Sequence, residues 1–289
     1  LLQPSLAAVR DYIDWTPFFT TWQLRGTYPK ILERPGVGEK AKELKADADT
    51  MLDQIVKEGW FQPQAIYGLF PSASEGEDIV VLDEARQEVR ARFPMLRQQG
   101  VLRRGPNLSL ADFIAPRESE ARDHLGAFVV TAGPGAGEAA ARFRTDHDEY
   151  QAIMVQSLGD RIAEALAEWL HERVRAEWGY EALGTHPMED LIRERYRGIR
   201  PAPGYPASPD HLLKPRLFSL LGEEPIGVTL TESMAMLPAS SVSGLYFAHP
   251  KARYFGVGRI GQDQVADYAR RMEIDLETAQ RWLAPNLDA

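Results

Sequence analysis

The 289-residue chain contains no cysteine. No disulfide can form, and thiolate nucleophiles and thiolate metal sites are excluded together. Asparagine is nearly absent, occurring only at positions 107 and 286. Scarcity of thermolabile side chains suits a thermophile, and genomic base composition gives the same result. No apolar run approaches the roughly 18 residues of a membrane span, and no secretory leader is recognisable. Cationic residues are in deficit: 33 Lys and Arg against 42 Asp and Glu leave a formal charge of −9. Nucleic-acid binding needs a basic face, so the balance argues against such a partner. It suits a small-molecule enzyme or a docking partner with a basic rim. Together these features fit a cytoplasmic protein. The chain opens Leu1-Leu2-Gln3, without an initiator Met, and reads as a piece of a longer polypeptide.

Several catalytic signatures are missing as well. The histidines at 124, 147, 171, 186, 211 and 249 form no His-Glu-x-x-His pair, and His171-Glu172-Arg173-Val174-Arg175 lacks the second imidazole. No metal site is expected. Ala132-Gly133-Pro134-Gly135-Ala136-Gly137 has no following Lys-Ser/Thr, so it is no P-loop. No glycine-rich turn follows a strand within a βαβ unit, which excludes the dinucleotide fingerprint. A hydrolase built on Ser208 or Ser233 lacks the nucleophile elbow.

What is present is a mixture of helices and hairpins. Leu44, Ala48, Met51, Leu52, Ile55 and Val56 recur at helical spacing across 38–58, and Gly59 is placed as a stop. Residues 147–177 carry the strongest pattern, with Met154, Leu158, Ile162, Ala165, Leu166 and Trp169 on one face. At 1.5 Å per residue such a helix runs roughly 45 Å. A shorter helix is expected over 187–197, and two more over about 263–271 and 276–283. Residues 1–30 read as a helical turn followed by an aromatic loop. Ala65–Phe70 and Asp78–Leu82 read as a hairpin, and 126–131 as an apolar strand ending in a loop. Residues 84–93 suggest a helix. Strands are expected over 228–237, 242–247 and 254–260, and five prolines between 201 and 215 argue against regular structure there. The expected fold is α+β: a single domain over 1–289 with a twisted antiparallel sheet flanked by helices, one long and central.

Arg200-Pro201-Ala202-Pro203-Gly204-Tyr205 concentrates chemistry. Its prolines stiffen the chain and leave the N–H groups of Ala202, Gly204 and Tyr205 as donors. Gly204 permits close approach of a ligand to the backbone. Arg200 offers a planar fork matched to a carboxylate, and Tyr205 a flat face. A zwitterionic amino acid joined to a flat heterocycle would use all of these; a rigid surface turn is the plainer alternative.

With Tyr12-Ile13-Asp14-Trp15-Thr16-Pro17-Phe18-Phe19, Leu230-Thr231-Glu232-Ser233, Ser241-Val242-Ser243-Gly244 and Arg281-Trp282-Leu283-Ala284-Pro285-Asn286-Leu287, this hexapeptide completes a pattern in family order. The chain resembles the C-terminal activation domain of cobalamin-dependent methionine synthase, which binds S-adenosylmethionine. The resemblance implies that Arg200 takes the ligand's carboxylate and Asp14 its ammonium, although an Asp before Thr16-Pro17 is also a natural helix cap. It points to Glu164 for the ribose hydroxyls, where periodicity alone reads a solvated charge. Tyr254 and Phe255 correspond to an aromatic pair that touches the ligand, with a ring face attractive to the sulfonium. Phe255 stands where the family often has Tyr, so no second hydroxyl is available. Ala202, Gly204 and Tyr205 would add backbone contacts.

The implied function is reductive reactivation, in which S-adenosylmethionine remethylates cobalamin held by a separate domain after an electron arrives from a flavodoxin-like donor. Arg-rich stretches 86–104 and 193–200 are candidates for a basic patch facing that acidic donor. Asp123-His124-Leu125-Gly126 has the wrong spacing for base-off cobalamin binding. The lack of cysteine rules out the family's homocysteine-activating zinc site here. The whole enzyme is a methyltransferase; this fragment is not expected to make methionine alone. A non-catalytic S-adenosylmethionine-binding docking module for corrinoid proteins is the alternative.

Overall fold

The computed structural model describes residues 1–100, 105–222 and 224–287. Five strands form an antiparallel sheet in the order β3-β2-β1-β4-β7. They are β1 (Gln64–Glu75), β2 (Asp78–Leu82), β3 (Val89–Pro94), β4 (Asp123–Thr131) and β7 (Ser241–Tyr246). A separate ribbon pairs β5 (Thr229–Leu230) with β6 (Met236–Leu237). Helices surround this framework, so the α+β expectation holds. The chain groups into two compact units. One comprises Leu1–Ile66, Val129–Tyr196 and Ile226–Val242; the other Tyr67–Phe128, Arg197–Pro225 and Ser243–Ala289.

The first unit is organised on a long helix, α5 (Glu149–Trp178). Against it pack α1 (Leu6–Arg10), α2 (Trp15–Thr21), α3 (Gly38–Glu58) and α4 (Gly135–Thr145), and the helix expected over 187–197 is the shorter α6 (Met188–Ile192). The apolar stripe read from the sequence is buried: Met154, Leu158, Ile162 and Leu166 are fully inaccessible. The C-terminal half of α5 differs. Glu168, His171, Glu172 and Arg175 follow at helical spacing, and all four are buried. Glu172 accepts from the Tyr12 hydroxyl at 2.5 Å and from the Gly184 N–H at 3.0 Å. The Arg175 guanidinium pairs with Glu181 and lies 3.8 Å from the Tyr196 ring centroid. Tyr196 in turn donates to Glu168 at 3.0 Å, and His186 meets Glu181 at 2.5 Å. A buried charge is tolerable only when paired, and here the segment 180–196 supplies the partners. Burial, then the Glu172 carboxylate, pushes the Tyr12 phenol up to about 12.

In the second unit, β1, β2 and β3 meander in the registers Ser72↔Val81 and Val80↔Arg92. Helix α7 (Lys214–Leu221) and helix α8 (Gln262–Met272) pack on β3, and α9 (Leu276–Trp282) on α8. Asp78 ties the sheet to α8: its oxygens accept from Arg92 at 2.7 Å and Arg271 at 2.6 Å.

Several local expectations change. Residues 15–21 are helical rather than loop, because Asp14 caps the first turn and Pro17 falls where a missing N–H is harmless. Residues 89–94 form a strand, not a helix, since pairing with β2 outweighs local propensity. The hairpin turn is confined to Gly76-Glu77, and Ser72 and Ser74 belong to the strand. Ser74 stays satisfied there by donating to the Ile114 carbonyl at 3.0 Å. Residues 132–134 form the expected loop after β4, Gly135 and Gly137 lie in the first turn of α4, and Pro215 sits in the first turn of α7, where proline is tolerated. Residues 254–260 form no strand.

Candidate functional site

The hexapeptide at 200–205 lies in the second unit and is held from several sides. Ile199 forms an antiparallel bridge with Phe247, and the Leu245 N–H donates to the Pro201 carbonyl at 2.9 Å. That approach needs Gly244: a Cβ there would come within 3.0 Å of the same oxygen and 2.7 Å of the Phe128 ring. The segment after His249 runs alongside. The Arg200 N–H donates to the Tyr254 hydroxyl at 3.0 Å, and the Val257 N–H to the Pro206 carbonyl at 2.8 Å. Phe255 packs edge-on against Phe113, centroids 6.3 Å apart.

The turn closes on itself. The Gly204 N–H donates to the Ser208 carbonyl at 2.7 Å and the Tyr205 N–H to the Ala202 carbonyl at 3.2 Å. This corrects the expectation that both amides stand open to a ligand; a tight turn consumes its own donors. The Tyr205 side chain is 58% exposed and that of Tyr254 44%, so aromatic faces rather than those amides border solvent. Gly204 adopts φ +98, and the His211 ring lies directly beneath it.

His211 is the residue that sequence reasoning passed over, inside a proline-rich run read only as irregular. It begins a 3-10 turn, His211–Leu213, capped by Asp210, whose second oxygen accepts from the buried Tyr268 hydroxyl at 2.8 Å. Burial raises the Asp210 carboxyl above its ordinary range. Burial, then Lys214, lowers His211 below the usual imidazole value. Ser208 Oγ and His211 Nδ1 are both without a hydrogen-bond partner among the described residues, so no Ser–His pair exists here. Ser233 meets the Thr231 hydroxyl at 3.1 Å.

Six of the expected site residues, Arg200, Ala202, Gly204, Tyr205, Tyr254 and Phe255, thus fall on two adjoining segments. Asp14 and Glu164 belong to the first unit. Asp14 performs the capping role, accepting from Thr16 N–H at 2.9 Å. It also borders a cavity of ≈ 660 Å³ whose wall includes Trp15, Tyr28 and Lys45. There the Lys45 ammonium lies 4.0 Å from the Trp15 ring centroid. Glu164 is half-buried and lines a polar hollow of ≈ 230 Å³ with Asp160, Arg161 and Ser240. No cluster of three or more potential metal ligands occurs among the described residues, and no described helix is long and apolar enough to cross a membrane.

The arginine-rich stretches are largely consumed internally. Arg92 pairs with Glu75 and Asp78, Arg97 with Glu77 and Asp112, Arg193 with Glu189, and Arg195 with Asp190. Arg103 and Arg104 fall outside the described residues.

A family model for the activation domain of vitamin B12-dependent methionine synthase matches residues 5–273. The chain belongs to that family. A crystal structure of the MetH reactivation domain bound to AdoHcy is 48% identical to this activation domain, with a TM-score of 0.96. The match covers 100% of this chain and 90% of that one.

Proposed function

We propose that this activation domain holds S-adenosylmethionine for the reductive reactivation of a cobalamin-dependent methionine synthase. The observation that carries the reading is the 48% identity, along the entire chain, to a reactivation domain solved with AdoHcy. The second unit's turn fits such a ligand. Arg200 provides a charge-assisted fork for the carboxylate. The exposed Tyr205 face suits a flat heterocycle, and the Tyr254 ring, tethered to the Arg200 backbone, offers its face to a sulfonium. Ala202 and Gly204 shape the backbone between them, and Phe255 backs the second segment. For Asp14 and Glu164 the roles toward ammonium and ribose hydroxyls rest on the family resemblance.

The sulfonium supplies an activated methyl group that needs neither acid nor base for its transfer. The chain's contribution is accordingly to bind and orient, which agrees with the absence of a nucleophile–base pair at the turn. The methyl acceptor, cob(I)alamin, would come from the cobalamin domain of the same polypeptide, and the electron from a flavodoxin-like protein.

Calorimetric titration of the domain with S-adenosylmethionine tests the reading. Binding is expected in the wild type. In Arg200→Ala, truncation of a charge partner costs about 2–5 kcal/mol, at least roughly tenfold in affinity, with the melting temperature retained. No heat at millimolar ligand overturns the assignment, and unchanged affinity in Arg200→Ala moves the carboxylate elsewhere. In the full-length enzyme, methyl label from S-adenosylmethionine should reach the cobalamin. A domain that only docks would bind the ligand and never transfer label.

A further inference from the structure

We propose that His211 is the positioning residue of the 200–205 turn: its uncharged imidazole is the floor on which Gly204 rests, so ligand capture is lost when the ring becomes charged. This rests on the reading that the turn takes S-adenosylmethionine. A Cβ built on Gly204 would lie 2.0 Å from His211 Cε1 and 2.6 Å from each ring nitrogen. The imidazole therefore fills the space that any side chain at 204 would occupy. Gly204 in turn holds φ +98, and its N–H closes the turn onto Ser208. Removing the floor frees the residue at the centre of the motif.

The surroundings favour a neutral ring. Nδ1 is buried with no acceptor among the described residues. The adjacent Asp210 carboxylate is spent on the Leu212 N–H and the Tyr268 hydroxyl. Trp282 of α9 presents an uncharged ring at 6.2 Å. The charged and titratable groups carried by these elements are Asp210, Lys214 and Arg216 on the ring's own stretch, Arg200 and Tyr205 on the turn, Tyr268 on α8, and Glu277 and Arg281 on α9. Of these, Lys214 is the charge that acts on the imidazole, and it has the same sign. A proton on His211 would thus add a cation next to a buried ammonium, with nothing at Nδ1 to receive it. The ring then leaves for water and Gly204 loses its support. Because burial and Lys214 hold the imidazole below its ordinary range, the ring is neutral at pH 7, and the loss sets in below the usual histidine titration.

The test is an AdoHcy titration of the 289-residue domain at several pH values, with ligand-free amide spectra recorded alongside. Wild-type affinity should fall as the pH is lowered from about 7 through the His211 titration, by at most about tenfold per pH unit below it, the limit for one linked proton. The Gly204 amide should shift in step with the His211 ring. H211A should bind more weakly at pH 7 and lose the pH dependence. H211F restores a ring without a titrating group; it should recover most of that loss and stay flat with pH. Wild-type affinity that is level across the range, together with unimpaired binding in H211A, overturns the proposal. If the wild type fails to bind at pH 7, the functional reading falls instead. The positioning claim is then decided by the ligand-free spectra: a Gly204 amide indifferent to His211 titration refutes it.

Discussion

Gly204→Ala is the most economical test of how the turn is built. Two costs add. The first is conformational: φ +98 lies where an L-residue is strained, at about 1–3 kcal/mol. The second is steric. The new methyl would meet His211 Cε1 at 2.0 Å, so the ring must move, and overpacking of this kind costs about 1–3 kcal/mol. The sum is about 2–6 kcal/mol, which for a chain of this size lowers the melting temperature by roughly 3–10 °C. Thermal unfolding followed by circular dichroism measures it. The double variant Gly204→Ala/His211→Ala separates the two parts, because it removes the clash and keeps the backbone strain. The two sites touch, so their effects should couple by at least about 1 kcal/mol. A Gly204→Ala domain within about 0.5 kcal/mol of wild type, the range of a neutral surface change, would refute the packing of His211 beneath the turn. Strict additivity in the double variant would refute the contact.

Two further substitutions probe the buried polar groups. Arg175→Ala leaves Glu181 beside a vacated charge position and should destabilise by about 3–5 kcal/mol in chemical denaturation; a loss under about 1 kcal/mol would show the pair to be dispensable. Tyr268→Phe strips a hydroxyl donor from the buried Asp210 and should cost about 1–3 kcal/mol. Asp210 already titrates above its ordinary value, so its contribution to stability is full at low pH and fades as pH rises through the folded-state pKa. Losing the Tyr268 donor should deepen that fade, so the Tyr268→Phe deficit should be larger at pH 7 than at pH 4; an equal deficit at both would refute the linkage.

Periodicity revealed α3 and α5 nearly to the residue, because the stripes Leu44–Ala48–Met51–Leu52–Ile55 and Met154–Leu158–Ile162–Leu166 are buried. It failed at β3, where exposed Val89 and paired Arg92 mask a strand whose partner is β2. It failed at 254–260, where Tyr254, Phe255, Val257 and Ile260 look strand-like but Gly256 and Gly258 leave the segment irregular, with Gly258 at φ +73. For the site, the hexapeptide stood out through its unusual residue types. What the sequence hid was the direction of its amides, since donors in a turn are assigned only once the turn's closing carbonyls are known. His211 was hidden for a related reason: a packing partner seven residues away along an irregular chain leaves no period to detect.

The Arg200 amide hydrogen bond ends on a phenol, not on a carbonyl. A carbonyl in a ladder is fixed by its neighbours, whereas a phenol swings about its own torsions. Between the Ile199–Phe247 bridge and the Leu245–Pro201 bond, the main chain carrying the guanidinium fork is thus joined to the 254–257 segment through a rotatable ring, itself half in solvent. The ring's own segment is pinned through Gly256, whose carbonyl accepts from Gln98 at 2.8 Å, and through Val257. A molecule that settled on that ring would touch both segments at once. The entropy of ordering both would then be lost once, at capture, and regained together at release.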